Sequence, residues 1–153
     1  MSFNIRFTHR ALRVEGWINR VKDWYLDKAP VKVVGLDCEF TDTPRNTSQH
    51  KLPYEKRQRA AILQLAVANQ VLVFQICACD RVLELLKEFL MDEEIKFCGA
   101  AIHNDQRMLH FYGITIRNPV DLQWLLLNPT KNRTPSLFDL SNHYLGTNHS
   151  RIP

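Results

Sequence analysis

The sequence predicts an α/β domain in which helices flank a mixed β-sheet, and three observations lead there. Short apolar, β-branched runs at residues 31–40, 60–68, 71–76 and 95–101 have the length of buried strands rather than of helices. Two of these runs adjoin across Asn69-Gln70, which reads as a hairpin turn, while later ones alternate with helix-spaced segments. That mixture excludes an all-parallel sheet. The chain has 153 residues, 45% hydrophobic and 24% charged, which suits one globular domain with a real core. Residues 1–153 are therefore read as a single domain.

Residues 3–7 alternate and predict a short first strand. Trp17, Ile18, Val21, Trp24 and Tyr25 fall near one helical face, predicting a helix over 17–26 with both tryptophans in the core. Lys28-Ala29-Pro30 stops it. The strand at 31–40 is followed by a polar excursion from 41 to 59 that contains Pro44 and Pro53. After the hairpin, Asp80 is placed to cap a helix carrying Val82, Leu83, Leu86, Phe89 and Leu90. The strand at 95–101 closes with Gly99, and a helix at 104–112 ends at Gly113. A brief strand is expected at 115–116. Two further helices are expected at 120–127, capped by Asp121, and 136–145, with Pro135-Ser136 before the last and Gly146 after it.

Composition excludes several classes. No apolar run is long enough to span a bilayer, and the start, MSFNIRFTHR, lacks an apolar signal core, so an intracellular protein, nuclear or cytoplasmic, is expected. Cys38, Cys77, Cys79 and Cys98 form no C-x-x-C pair and read as structural thiols in a reducing compartment, not as a zinc site. Neither a G-x-G-x-x-G nor a P-loop pattern is present. The net charge of +4 is concentrated around Arg45, Lys51, Lys56, Arg57 and Arg59, a stretch that suits either a solvated loop or one touching phosphates.

The chemistry centres on Val33-Val34-Gly35-Leu36-Asp37-Cys38-Glu39-Phe40. In a strand, positions i and i+2 share a face, so Asp37 and Glu39 project side by side. Two carboxylates so placed repel and are costly to desolvate unless a hard divalent cation such as Mg²⁺ or Mn²⁺ lies between them. The plain alternative is a solvated strand end, and D-x-E alone is a common pattern. A second segment, residues 97–105, runs from strand into helix and sets Asp105 on the first helical turn, where the helix N-terminus favours an acid in any case.

Together these segments resemble a known family. Leu36-Asp37-Cys38-Glu39-Phe40 resembles the first motif of the DEDD exonuclease superfamily. Residues 99–109, Gly-Ala-Ala-Ile-His-Asn-Asp-Gln-Arg-Met-Leu, resemble its second. Arg59-Ala60-Ala61-Ile62-Leu63-Gln64-Leu65-Ala66 looks like the strand pair between them. The likeness is to the Werner-syndrome-type branch, particularly the small plant proteins built from this domain alone. It implies an RNase H-like, DnaQ-like fold. It also implies a 3′→5′ exonuclease that uses one or two Mg²⁺ or Mn²⁺ ions to release nucleoside 5′-monophosphates from single-stranded or recessed 3′ ends of DNA or RNA. Asp37, Glu39 and Asp105 match the first three metal-ligating acids. Phe40, Cys38, His103 and Asn104 are carried over as residues near substrate, Phe40 as an apolar surface beside the terminal base.

The family's third motif, a Tyr or His four residues before a last acid, lies on a helix beyond the segment resembled by 136–146. No such pattern occurs before Pro153; Asp139 and His143 stand in the reverse order, His149 has no acid after it, and Asp139 reads as a surface or capping residue. The expectation is therefore a domain short of that helix, with weakened second-metal binding or no turnover. A second copy or a protein partner is expected over the apolar surface left uncovered. The alternative function is a catalytically impaired module that binds nucleic acid or protein.

Overall fold

A computed structural model of the chain describes residues 2–42, 53, 57–81 and 83–147. Arg45, Lys51 and Lys56 of the basic stretch, with Pro44, Val82 and His149, lie outside the described residues. The elements are β1 (Asn4–Thr8), α1 (Ala11–Trp24), β2 (Lys32–Asp42), β3 (Gln58–Val67) and β4 (Gln70–Phe74), then α2 (Glu84–Leu90), β5 (Ile95–Gly99), α3 (Ile102–His110), β6 (Pro119–Asp121), α4 (Leu122–Leu125) and α5 (Leu137–Leu145). The strands form one mixed sheet in the order β1-β4-β3-β2-β5-β6. The β4-β3-β2 unit is antiparallel, and β1, β5 and β6 join in parallel.

Alternation sorts the side chains. Val34 and Leu36 of β2, Leu63 and Leu65 of β3, Leu72 and Phe74 of β4, and Phe97 of β5 point to one face and are buried. The helices α1, α2 and α3 supply the other half of that core, through Val14, Trp17, Ile18 and Val21, then Leu86, Phe89 and Leu90, then Met108 and Leu109. Phe89 meets Phe97 edge to face at 5.6 Å between centroids, a favourable aromatic geometry. The opposite sheet face is more open. Register places Phe7, Val73, Gln64 and Asp37 in one row across it. A cavity of about 300 Å³ there is lined by Val33, Asp37, Gln64 and Val71 of the sheet, with Leu122 and Leu137 closing it from the C-terminal segments.

Several expectations need correction. α1 begins at Ala11, six residues before Trp17, where the cap is supplied from a distant part of the chain. Arg10 at the N-cap makes no side-chain bond, while the Ala11 N–H donates to Asp80 Oδ1 at 2.9 Å across 69 residues of chain. Asp80 thus serves α1 rather than α2, whose N-cap is Leu83. Trp17 is in the core, but Trp24 is exposed with the Arg20 guanidinium 5.6 Å over its ring. The hairpin turns at Ala68, with φ of 51°, and Gln70 already belongs to β4 opposite Val67. The brief strand comes at Pro119–Asp121 instead of 115–116, and only one helical turn follows it. α5 is as expected: Ser136 and Asp139 form a capping box, and Gly146 ends it at φ of 64°. No helix among the described residues is long and apolar enough to cross a membrane.

Candidate active site

The site begins where β5 runs out. It pairs with β2 only as far as Gly35↔Cys98, so among the described residues no strand pairs with the rest of β2 on that side. Gly99 ends β5 so close to β2 that a Cβ there would stand 2.5 Å from the Leu36 carbonyl oxygen; only glycine fits the approach. The chain then turns through Ala101, held in the left-handed region at φ of 54°, and enters α3. That turn brings the first turn of α3 against the free edge of β2.

On β2, Leu36 and Cys38 are buried while Asp37 and Glu39 are exposed, so the two acids share a face as the period of two requires. The register with β3 slips just after Glu39, where Glu39 pairs with Ile62 but Phe40 with Ala60. Such an irregularity re-aims the end of a strand. Phe40 follows at 53% exposure, a large apolar ring turned to solvent. Asp105 approaches from α3 and is only 4% exposed. Its Oδ2 has no hydrogen-bond partner.

The electrostatics follow from that crowding. Burial pushes the Asp105 carboxyl up to about 7, and the charges of Asp37, Asp121 and Glu39 add to the rise; the backbone N–H of Cys38 opposes it. Asp37 is also raised, first by desolvation and then by Glu39, again against the Cys38 backbone. Asp37 keeps solvent contact on the sheet face, yet enough protein surrounds it for desolvation to dominate. The Cys38 thiol is driven far up by burial and by the three acids, so it stays neutral. The neighbouring charges thus disfavour ionisation of Asp37 and Asp105, and the donor set, all hard oxygen with one orphaned buried oxygen, fits a divalent cation such as Mg²⁺ or Mn²⁺. Among the described residues no three His, Cys, Asp or Glu side chains are drawn together as a ready-made metal cluster.

The remaining sequence candidates divide. The Cys38 side chain is in the core, on the face away from Asp37 and Glu39, while its backbone N–H serves Asp37 and Asp105. His103, with 69% of its side chain exposed, has Nδ1 3.8 Å from Asp121 Oδ2. Asn104 sits on the same turn, its N–H donating to Ala101 O at 2.9 Å and its Oδ1 accepting from Arg107 at 3.4 Å. Arg59 lies 5.4 Å over the Phe111 ring. Asp121 caps α4 as expected, by accepting from the Gln123 N–H at 2.9 Å. Its same Oδ1 also accepts from the Ala101 N–H at 3.2 Å, a bond across 20 residues that no local pattern announces.

Comparison with known proteins places this geometry. The 3′-5′ exonuclease family matches residues 18–151. Among solved structures, Escherichia coli RNase D, an exoribonuclease involved in structured RNA processing, superposes with a TM-score of 0.71 at 16% identity, over 97% of this chain and 35% of that one. The EXD2 exonuclease domain soaked in Mn and GMP gives 0.56 at 19%, over 94% and 70%. Trypanosoma brucei RNase D in complex with RNA U12 gives 0.57 at 15%, over 79% and 38%. The chain thus spans about a third of the length of the RNase D chains, and at these identities the likeness establishes the RNase H-like exonuclease fold alone. No protein of curated function matches it in sequence. Because the family match runs from residue 18 to residue 151, through both acidic segments, the chain belongs to the 3′-5′ exonuclease family.

Proposed function

We propose that residues 1–153 act as one Werner-type 3′→5′ exonuclease domain, releasing nucleoside 5′-monophosphates from single-stranded or recessed 3′ ends with one or two Mg²⁺ or Mn²⁺ ions. The observation that carries this reading is the buried, unpartnered oxygen of Asp105 beside Asp37 and Glu39. A buried acid without a partner is expensive, and a cation would remove both the desolvation burden and the mutual repulsion. Divalent ions held by Asp37, Glu39 and Asp105 would supply water activation and stabilise charge building on the phosphate.

The chain's own residues would do the rest. Asp105, anchored on α3, fixes the inner wall of the site. Asp37 and Glu39 present their carboxylates from the open face of β2. The exposed Phe40 ring offers a surface for the terminal base, and His103 and Asn104 stand beside the phosphates. The RNA bound to T. brucei RNase D and the Mn and GMP soaked into the EXD2 domain belong to those proteins, and they favour a nucleic-acid substrate and a nucleoside monophosphate product here.

A second reading, a catalytically impaired module that binds nucleic acid or protein, is favoured by the lack of a ready-made three-residue cluster among the described residues. One experiment separates the two. The chain is incubated with 5′-labelled and 3′-labelled oligonucleotides of DNA and RNA, with Mg²⁺, Mn²⁺ or EDTA, beside Asp37→Ala. Metal-dependent shortening from the 3′ end that disappears in the variant is the expected result; retained binding without shortening moves the conclusion to the second reading.

A further inference from the structure

Asp121 makes a pattern of contacts that capping α4 does not require. One carboxylate oxygen, Oδ1, accepts two backbone N–H groups at once, Gln123 at 2.9 Å and Ala101 at 3.2 Å. The first is the ordinary cap. The second reaches back to the residue before α3, and that residue is in a conformation L side chains rarely adopt, φ 54° and ψ 40°. Ala101 carries no side-chain cap of its own; its carbonyl accepts from the Asn104 N–H, but its own N–H is held by Asp121. The sheet brings the two together: β6 pairs with β5 through Gly99↔Asp121, and Gly99 is pinned against the Leu36 carbonyl.

We infer that Asp121 is a positioning residue for the acidic site, holding Ala101 in its left-handed turn so that α3 presents Asp105 to the edge of β2. This rests on the reading of Asp105 as a metal ligand. The route is short. Asp121 fixes the Ala101 N–H, Ala101 sets where the first turn of α3 begins, and Asp105 stands on that turn opposite the Cys38 backbone. Proximity runs the same way, since the Asp121 charge is felt at Asp105. Oδ1 is shared by two backbone N–H donors, while Oδ2 lies 3.8 Å from His103 Nδ1, so the backbone-organising role is carried by Oδ1. Outer-shell carboxylates that orient a ligand typically change metal affinity or activity by roughly 10–100-fold when removed.

The test uses the whole chain as wild type, Asp121→Ala, Asp121→Asn and the double variant Asp121→Ala/Ala101→Gly. Two readouts are taken: Mn²⁺ affinity from the thermal shift on titration with the metal, and metal-free backbone chemical shifts of Ala101 and Asp105. Asp121→Ala is expected to weaken Mn²⁺ binding about 10-fold or more and to move the Ala101 resonances out of the left-handed range, with Asp105 shifting too. Asp121→Asn keeps an acceptor oxygen and should stay within about 3-fold of wild type. Glycine adopts the left-handed region freely, so the double variant should recover most of the lost affinity. Ala101 shifts that stay left-handed in Asp121→Ala would overturn the inference. So would an Asn variant as weak as Ala with no rescue by glycine, which would make Asp121 a charge contributor or ligand. If wild type itself binds no Mn²⁺, the metal reading of Asp105 fails, and the metal-free shifts alone decide whether Asp121 positions that residue.

Discussion

Replacing Asp105 with asparagine should stabilise the metal-free protein at pH 8 and leave it no more stable at pH 4. The carboxyl stands at about 7 in the folded chain against 3.8 when unperturbed. A carboxyl raised on folding contributes stability that is complete below its unfolded value and is lost as the pH climbs through its folded value. Between pH 4 and pH 7 wild type therefore loses up to on the order of 4 kcal/mol through this one group. Asparagine has the same shape and never ionises, but its amide leaves a donor near the place of the orphaned oxygen, which costs about 1–3 kcal/mol. The balance at pH 8 favours the variant by about 2 kcal/mol, a rise in Tm of roughly 4–8 °C for a domain of this size. Urea unfolding of both proteins at four or five pH values, in EDTA, measures it. Saturating Mn²⁺ should then reverse the order at pH 8, because a cation at 100 times its Kd adds about 2.7 kcal/mol to wild type and not to the variant. A stability difference that stays flat from pH 4 to pH 8 would refute the account of Asp105 as a buried, charge-crowded acid.

Three further substitutions probe the packing around the site and the C-terminal helix. Gly99→Ala puts a Cβ 2.5 Å from the Leu36 carbonyl, so a loss of about 1–3 kcal/mol or more is expected in urea, with weaker Mn²⁺ binding as β5 and β2 separate; an unchanged midpoint contradicts the close approach. Tyr112→Phe removes the hydroxyl that donates to the Ala60 carbonyl on β3 and should lower stability by about 1 kcal/mol, read as a fall in Tm of a few degrees. Ser136→Ala breaks the capping box of α5 and should cost about 1 kcal/mol, with faster amide exchange confined to residues 137–145.

What was legible in the sequence is what periodicity and punctuation encode. Asp37 and Glu39 share a face because a strand has a period of two, and no tertiary information was needed to see it. The ends of α5 were legible because Ser136, Asp139 and Gly146 are local signals acting over a few residues. The start of α1 was not, because its cap, Asp80, comes from 69 residues away. Trp24 looked like core because it repeats Trp17 at the next heptad, but it is the last residue of α1 and its ring is exposed beneath Arg20 instead. At the site, the acids could be named from their spacing. The burial of Asp105 could not, since it follows from β5 stopping at Gly99 and α3 filling the gap beside β2. Asp121 was half legible: its short-range bond to Gln123 is a pattern, and its bond to Ala101 is a consequence of the sheet.

Local unfavourable features also point to the site without any reference to acids. Three of them fall between Gly99 and Asp105: a backbone approach that tolerates no Cβ, an alanine at positive φ, and a buried carboxylate oxygen with no partner. The other described non-glycine residue at positive φ, Ala68, is explained by its hairpin, where the turn itself demands that conformation. No such local demand exists at Ala101, because a helix can start from an ordinary extended N-cap, as α5 does from Ser136. Native domains are stable by only about 5–15 kcal/mol, so two penalties beside so tight a backbone approach are retained only where they place something. Here each acts on the same quantity, the position of the first turn of α3 against the edge of β2. Relaxing Ala101 would relieve strain, and relaxing it or widening the gap at Gly99 would carry Asp105 away from Asp37 and Glu39. The strain and the acid are therefore one feature, and the stability gained in Asp105→Asn is the part of it that a thermal measurement can isolate.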